Sequence, residues 1–205
     1  MHELAWEATA SAGMQRYEVS NFALPGRSCR HNRIYWQGLP WLAIGAGAHG
    51  HRPPFPGEEG FGRRWWVVRG VGEYIARVRE NRSTEAGHEV LDRQAAATEA
   101  LLLGLRVRDG LDRSTFAARF GADPVQALGS ALANARRAGL LTVEDDRIRS
   151  TEAGEIILDF VIQQLSEGLD TFLLSGNHES LRPGGSAPAM SGPTLLEPGA
   201  VGEKV

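Results

Sequence analysis

The stretch from Asp112 to Leu165 constrains the fold most, because helix starts and stops recur in it at short intervals. Asp112 is placed to cap a helix that carries Phe116 and Phe120, and Gly121 closes it. Asp123 followed by Pro124 opens a second helix, which carries Val125, Leu128 and Leu132 and is stopped by Gly139. Leu140 to Val143 and Arg147 to Arg149 read as short strands on either side of the turn Glu144-Asp145-Asp146. Thr151 then caps a last helix running through Ile157, Phe160 and Val161.

Helix, helix, two short strands, helix is the outline of a winged helix, a shape often used on DNA. Charge argues against that use. The segment carries eight acidic and six basic residues, a net charge of −2. The second helix has its arginines, Arg136 and Arg137, only at its end, and the turn between the strands is tipped by Asp145 and Asp146. Phosphate would be repelled there. The whole chain agrees, with a net charge of −3 and a pI near 6.1 over 205 residues. A packing or docking module is the preferred reading, with small molecules or proteins rather than nucleic acid as partners.

The amino half has a different rhythm. His2 to Ser11 reads as a helix stopped by Gly13, with Leu4, Ala5 and Ala8 at helical spacing. Arg16 to Ser20 alternates as a short strand, Tyr17 and Val19 on one face and Glu18 and Ser20 on the other. Asn21 to Asn32, holding Pro25-Gly26, reads as a loop. Trp41 to Ile44 is a continuous apolar run, which suits a strand buried on both faces of a parallel sheet. Pro53, Pro54 and Pro56 break the chain, and Arg63 to Val68 suits a further strand. Val71 to Glu80 reads as a helix with Val71, Tyr74, Ile75 and Val78 on one side, and Leu91 to about Gly110 as a long amphipathic helix. This order resembles βα units followed by a mostly helical half.

The Gly/Pro/Ser-rich stretch from Ser175 to Val205 has no hydrophobic period and is expected to be disordered. The one cysteine, Cys29, excludes an internal disulfide framework. No apolar run approaches the roughly 20 residues of a spanning helix, and the acidic start does not read as a secretion signal. A cytoplasmic protein of the α/β class is the expectation.

Three constellations lie on the loops of the amino half. Gly45-x-Gly47-x-x-Gly50 matches the dinucleotide fingerprint in letters, but His51-Arg52-Pro53-Pro54 cannot start the helix that the fingerprint requires. What survives is a glycine loop that backbone or ligand can approach closely, or an ordinary tight turn. Cys29, His31, His49 and His51 are metal ligands by type, yet C-x-H and H-x-H are not structural zinc spacings. His31-Asn32-x-x-Tyr35-Trp36 places an imidazole, an amide and two large rings within six residues. If it forms a helical turn, His31 and Tyr35 share a face and offer an iron ligand beside an aromatic wall. The alternative is an aromatic plug with a capping asparagine.

Tyr17-Glu18-Val19-Ser20-Asn21-Phe22-Ala23 with Pro25-Gly26, Arg30-His31-Asn32 with Tyr35-Trp36, and Gly45-Ala46-Gly47-Ala48-His49-Gly50 together resemble the haem chaperone HemW family. That family is closely similar to the oxygen-independent coproporphyrinogen III oxidases of the radical S-adenosylmethionine (SAM) superfamily. The resemblance extends through Leu101 to Arg106 and on to about Leu165. It implies a C-terminal part of a partial (β/α), TIM-like barrel over residues 1–70, then a helical domain over 71–168 with a winged-helix-like part at 112–165, then a disordered tail over 169–205. It implies haem binding by His31, Asn32, Tyr35 and Trp36. It places Gly45, Ala46, Gly47 and Ala48 against the methionine part of SAM, with Glu18, Ser20 and Asn21 lining the same cavity.

The departure from that pattern is large. Such proteins carry a C-x-x-x-C-x-x-C motif for a four-iron four-sulfur (4Fe–4S) cluster, and this sequence has none. One cysteine cannot hold a cluster, so radical chemistry by this chain alone is not expected, and Cys29 remains only a weak candidate for iron. The chain reads as the carboxyl half of such a protein, truncated, split or started at a late methionine. Its open strand edges predict a complementing amino-terminal half or self-association. The functional expectation is a haem-binding, chaperone-like protein that passes haem or a porphyrin to a membrane-bound acceptor. The alternatives are a coproporphyrinogen oxidase-like enzyme, dependent on the missing cluster, and a winged-helix binding module.

Overall fold

The computed structural model describes residues 2–174. Its elements are α1 (His2–Ser11), β1 (Gln15–Arg16), β2 (Phe22–Ala23), α2 (Arg30–Trp36), β3 (His49–Arg52), β4 (Arg63–Val67), α3 (Val71–Arg79) and β5 (Glu85–Val90). The chain continues with α4 (Arg93–Arg106), β6 (Leu111–Asp112), α5 (Arg113–Phe120), α6 (Pro124–Arg137), β7 (Leu141–Val143), β8 (Arg147–Ser150), α7 (Glu152–Ile156) and α8 (Leu158–Leu174). This is an α/β fold whose strands form small sheets in the orders β1-β2, β3-β4-β5 and β6-β8-β7. Every strand pair among the described residues is antiparallel.

The helix punctuation works as the sequence predicts. The Asp112 carboxylate accepts the Thr115 N–H at 2.7 Å, Asp123 that of Val125 at 2.7 Å, and the Thr151 hydroxyl that of Gly154 at 3.0 Å. Each satisfies a donor that the first helical turn leaves unpaired, worth about 1 kcal/mol. Gly121 closes α5 at φ 71°, a left-handed conformation that a side chain would disfavour. These ends hold α4, α5, α6 and α8 around a core with the β6-β8-β7 sheet, in which Leu101, Leu105, Ile148 and Leu165 are all fully buried.

The amino-terminal segment is fastened to this core by backbone. The Val19 N–H donates to the Arg106 carbonyl at 3.0 Å and the Arg108 N–H to that of Tyr17 at 3.2 Å, so Glu18 bridges Val107 in strand fashion. Arg16 and Glu155 form an ion pair at 2.5 Å with side chains only 8% and 3% exposed. Glu155 also faces Arg108 at 3.3 Å, and the Arg16 guanidinium lies 3.7 Å above the Trp6 ring. The β3-β4-β5 sheet joins through Phe61, which stacks on Phe120 at 5.9 Å and accepts an Arg119 bond at 2.8 Å.

Several expectations are corrected. Trp41 to Ile44 is not a buried strand of a parallel sheet: Leu42 is 79% and Ile44 81% exposed, and only Trp41 makes a bridge, antiparallel to His51. Pro40 and Gly45 confine the run, and it meets β3 at one residue instead of a full ladder. The strand expected over Arg16 to Ser20 shortens to β1, and of the residues after it Glu18 is fully buried, Tyr17 and Val19 are half-buried and Ser20 is exposed. The loop expected to reach Asn32 ends at Cys29, where α2 begins. β2, which falls inside the expected loop, and β3, β5 and β6 were not foreseen, and the long helix starts two residues later than Leu91. The last helix divides at Ile157, leaving Ile157 and Phe160 exposed. The apolar side of α3, with Val71, Ile75 and Val78, faces water.

α8 continues to Leu174, past the boundary expected at 168. The disordered segment expected from Ser175 onward lies outside the described residues. Among those described, no helix is long and apolar enough to cross a membrane.

Candidate functional site

The short helix α2 carries the candidate haem motif on two faces. Its first turn closes when the Cys29 carbonyl accepts the Arg33 N–H at 3.0 Å, and it ends where the Gly38 N–H reaches the Tyr35 carbonyl at 3.0 Å. Seven residues with none fully buried cannot sustain a helix alone. Side chains therefore anchor it: Arg33 pairs with Asp109 at 2.9 Å, and the Asn32 amide donates to the Tyr17 hydroxyl at 3.1 Å. The Arg106 guanidinium sits 5.9 Å from the Trp36 ring.

His31 and Tyr35, one turn apart, share a face as the spacing predicts. Their rings meet edge to face at 4.9 Å. The contact continues from Tyr35 to Trp41 at 4.6 Å and from Trp41 to His51 at 4.8 Å. A file of four rings thus runs from the exposed His31 to His51, only 3% exposed. The Trp41 indole N–H donates to the His49 carbonyl at 3.0 Å, which fixes its orientation. The other face of α2 turns Trp36 toward a cavity of about 210 Å³, also lined by Tyr17, Trp41, His51, Leu103 and Phe116.

Burial lowers the pKa of His51 from its ordinary 6.5, with the Glu99 carboxylate and the Leu39 carbonyl pulling weakly the other way. Neither ring nitrogen makes a hydrogen bond of normal geometry, so Leu39 acts as a nearby dipole only. With the folded pKa below the unfolded one, the unfolded chain takes up this proton first as the pH falls through about 6.5. Stability contributed by neutral His51 is present above that pH and is lost below it. The melting temperature is expected to fall between about pH 7 and about pH 5, before most carboxylates titrate, and His51→Gln is expected to flatten the slope. Equal slopes in calorimetric melts of the two proteins would contradict this assignment.

The glycine loop follows a different design. Gly45 and Gly47 adopt φ of 104° and 72°, which side chains resist. The Gly47 N–H donates to the Val68 carbonyl at 2.9 Å and that of Ala48 to the Gly45 carbonyl at 3.2 Å, while the Gly45 and Ala46 N–H groups make no bond among the described residues. A Cβ at Gly45 would meet nothing within 4 Å, so this backbone is open to an approaching group. Glu18 is fully buried, and its carboxylate accepts the Ser20 N–H at 3.1 Å and the Asn21 amide. Among the described residues no hydrogen bond joins the Glu18, Ser20 and Asn21 turn to the Gly45 to Ala48 loop, and neither lines the 210 Å³ cavity.

Structure therefore brings His31, Asn32, Tyr35 and Trp36 together with Tyr17, Trp41 and His51, and among the described residues no hydrogen bond ties the four α2 residues to either set of candidate SAM residues. Cys29 is exposed beside α2. His49 is exposed against Trp66 while His51 is buried, and no group of three or more His, Cys, Asp or Glu could hold a metal among the described residues. Tyr17, Trp41, Glu99 and Arg119 were missed as site residues. Nothing in local spacing points to them, since the cavity joins segments far apart in the chain.

Residues 91–156 match the HemN C-terminal domain. The chain is 35% identical over 164 residues to the haem chaperone HemW of Mycobacterium tuberculosis, covering 80% of this chain and 38% of that protein. With HemW of Bacillus subtilis it shares 27% identity over 157 residues, 77% of this chain and 39% of that one. Its fold is similar to that of coproporphyrinogen III oxidase (HemN) from Escherichia coli, a radical SAM enzyme, with a TM-score of 0.55 and 16% identity over 83% of this chain and 40% of that one. The chain spans about two fifths of the length of these relatives.

Proposed function

This chain is a relative of the haem chaperone HemW and HemN-like proteins and resembles a carboxyl portion of them, and from that premise we propose that it binds haem through α2 in a chaperone-like role. The observation that carries the proposal is the placement of His31. Its imidazole is exposed, makes no hydrogen bond among the described residues and stands against the edge of Tyr35, as an iron ligand beside a hydrophobic wall would. Asn32 and Trp36 hold the helix to the body of the protein, so the ligand is presented on an anchored element. Haem bound here would be passed on to an acceptor protein in the membrane.

The proposed organisation is a partial barrel over 1–70 and a helical domain from 71 to the end of α8 at Leu174, with a winged-helix-like part at 112–165. The α5, α6, β7, β8 order supports the winged part. For SAM, the Gly45 and Ala46 N–H groups would supply open backbone donors on a loop shaped by Gly47 and Ala48, while Glu18, Ser20 and Asn21 would act from a separate turn. SAM would bring a reactive sulfonium, and the glycine loop of this chain would only bind and orient it. A 4Fe–4S cluster does not fit, because Cys29 is the one thiol here and a cluster needs several. No step through a cluster is derived for this chain.

Titration of the purified full chain with haem tests the reading. Saturable binding with a shifted Soret band is expected. His31→Ala should weaken it by about tenfold or more and move the band, whereas Cys29→Ser should leave both unchanged. Unaltered affinity and spectrum in His31→Ala would remove this histidine from the site.

A further inference from the structure

Beneath α2, the 210 Å³ cavity has a chemistry that haem ligation by His31 does not use. Leu103, Phe116 and Phe120 give it an apolar wall. Three polar groups on that wall lack partners of the right kind. The Trp36 indole N–H is buried and donates to nothing, and His51 is buried with both ring nitrogens unpaired. The Arg119 guanidinium donates only to the Phe61 carbonyl at 2.8 Å and, among the described residues, forms no ion pair.

Nearby acids do not make up the difference. Glu99 pairs with Arg64 at 3.1 Å, and the other arginines of the wall are matched as well, Arg33 by Asp109 and Arg147 by Asp112. An indole N–H and a guanidinium can only donate, and a neutral imidazole donates once. The cavity therefore has donors without acceptors placed for them, and Arg119 makes no ion pair of its own among the described residues although Glu99 pulls on its charge. Its volume exceeds the need of a single bridging water and suits a handful of non-hydrogen atoms.

We infer that this cavity binds a carboxylate carried on a short apolar chain. One carboxylate oxygen would accept from Trp36 Nε1 and the other from Arg119, with His51 donating to either, while the alkyl part lies against Leu103 and Phe116. A charged acceptor in a mostly apolar cleft gains more from each donor than it would in water. The carboxylate could be that of a free acid or of a side chain on a larger ligand.

Proton–nitrogen NMR of the full chain tests this with sodium butyrate as probe and 1-butanol and butylammonium as controls. Butyrate should shift one indole N–H signal saturably with about millimolar affinity, the signal being the one lost in Trp36→Phe, and the controls should not. Arg119→Met should weaken butyrate about tenfold or more, and Arg119→Lys, which keeps the charge, by less. If Arg119→Met does not fold, the comparison of butyrate with butanol in the wild type decides alone. Absence of a saturable shift, an equal response to butanol, or unaltered affinity in a folded Arg119→Met would overturn the inference and leave a cavity filled by water. Displacement of butyrate by haem but not by haem dimethyl ester would support a side-chain carboxylate as the source, and retention of butyrate beside haem would support a free acid. A failed haem titration leaves the butyrate result intact, so the two proposals fall separately.

Discussion

Glu155→Ala is expected to destabilise the protein by about 3–5 kcal/mol, because it strands a buried cation. The partner is Arg16, whose side chain is nearly as buried as that of Glu155 and whose pKa burial pushes down while Glu155 pulls it up. A guanidinium does not escape by losing its proton, so the cost of leaving it unpaired falls on folding. Arg108 stands only partly buried and keeps access to water, so the effect concentrates at Arg16. Trp6 above the guanidinium offsets a small part. For a chain of this size the loss corresponds to a melting temperature lower by on the order of 10 °C. Replacing both charges together, as Arg16→Met with Glu155→Leu, should recover most of it, since an apolar pair of similar volume removes the desolvation cost. Denaturant titration of the single and double variants checks this. A single variant within about 1 kcal/mol of wild type would show that water reaches Arg16.

Leu105→Ala is the second large effect, expected at about 2–5 kcal/mol. Leu105 is fully buried in α4, and its carbonyl also accepts the Ser150 hydroxyl at 3.0 Å, so helix and β8 are locked at this point. The substitution leaves a void that neighbours held by regular structure cannot easily fill. Its consequences reach the candidate site, because α4 also carries Leu103 on the cavity wall and Arg106, which holds both Val19 and Trp36. Leu42→Ala is the matched control: with its side chain in water it should cost less than about 0.5 kcal/mol. Similar losses in the two variants would contradict the placement of the core.

These two leucines mark where the sequence could be read and where it could not. Elements bounded by their own chemistry were legible. Asp112, Asp123 and Thr151 announce helix starts through side chains that reach only two or three residues ahead, and Gly121 announces a stop through its own backbone freedom. The long helix was legible as an element, but its buried residues, Ala96, Ala97, Leu101 and Leu105, coincide with the apolar side its spacing suggests only at Leu105. Elements that depend on a distant partner were not legible. β5, Glu-Ala-Gly-His-Glu-Val, is polar and contains a glycine, yet it is a strand because β4 lies beside it, with Trp66 packed over Gly87. Leu42 and Ile44 read as core because hydrophobicity says nothing of whether a neighbouring strand exists.

The candidate site divides in the same way. The spacing of His31 and Tyr35 foretold their contact, since one helical turn decides it. Asn32 was also singled out, but not its bond to Tyr17, fifteen residues earlier. His51 was weighed only as a metal ligand beside His49, because alternation along a strand says which side a residue takes and not how deep it lies. Glu99 and Arg119 joined the cavity through the packing of α4 and α5, which no local pattern records.

The file of rings gives the molecule a built-in optical gauge. Tyr35 lies close enough to Trp41 to hand on absorbed ultraviolet light efficiently, and Trp41 in turn borders an imidazole able to dim its emission. With the other four tryptophans, Trp6, Trp36, Trp65 and Trp66, replaced by Phe, the brightness of that one indole would register whether α2 rests on β3, without any attached dye.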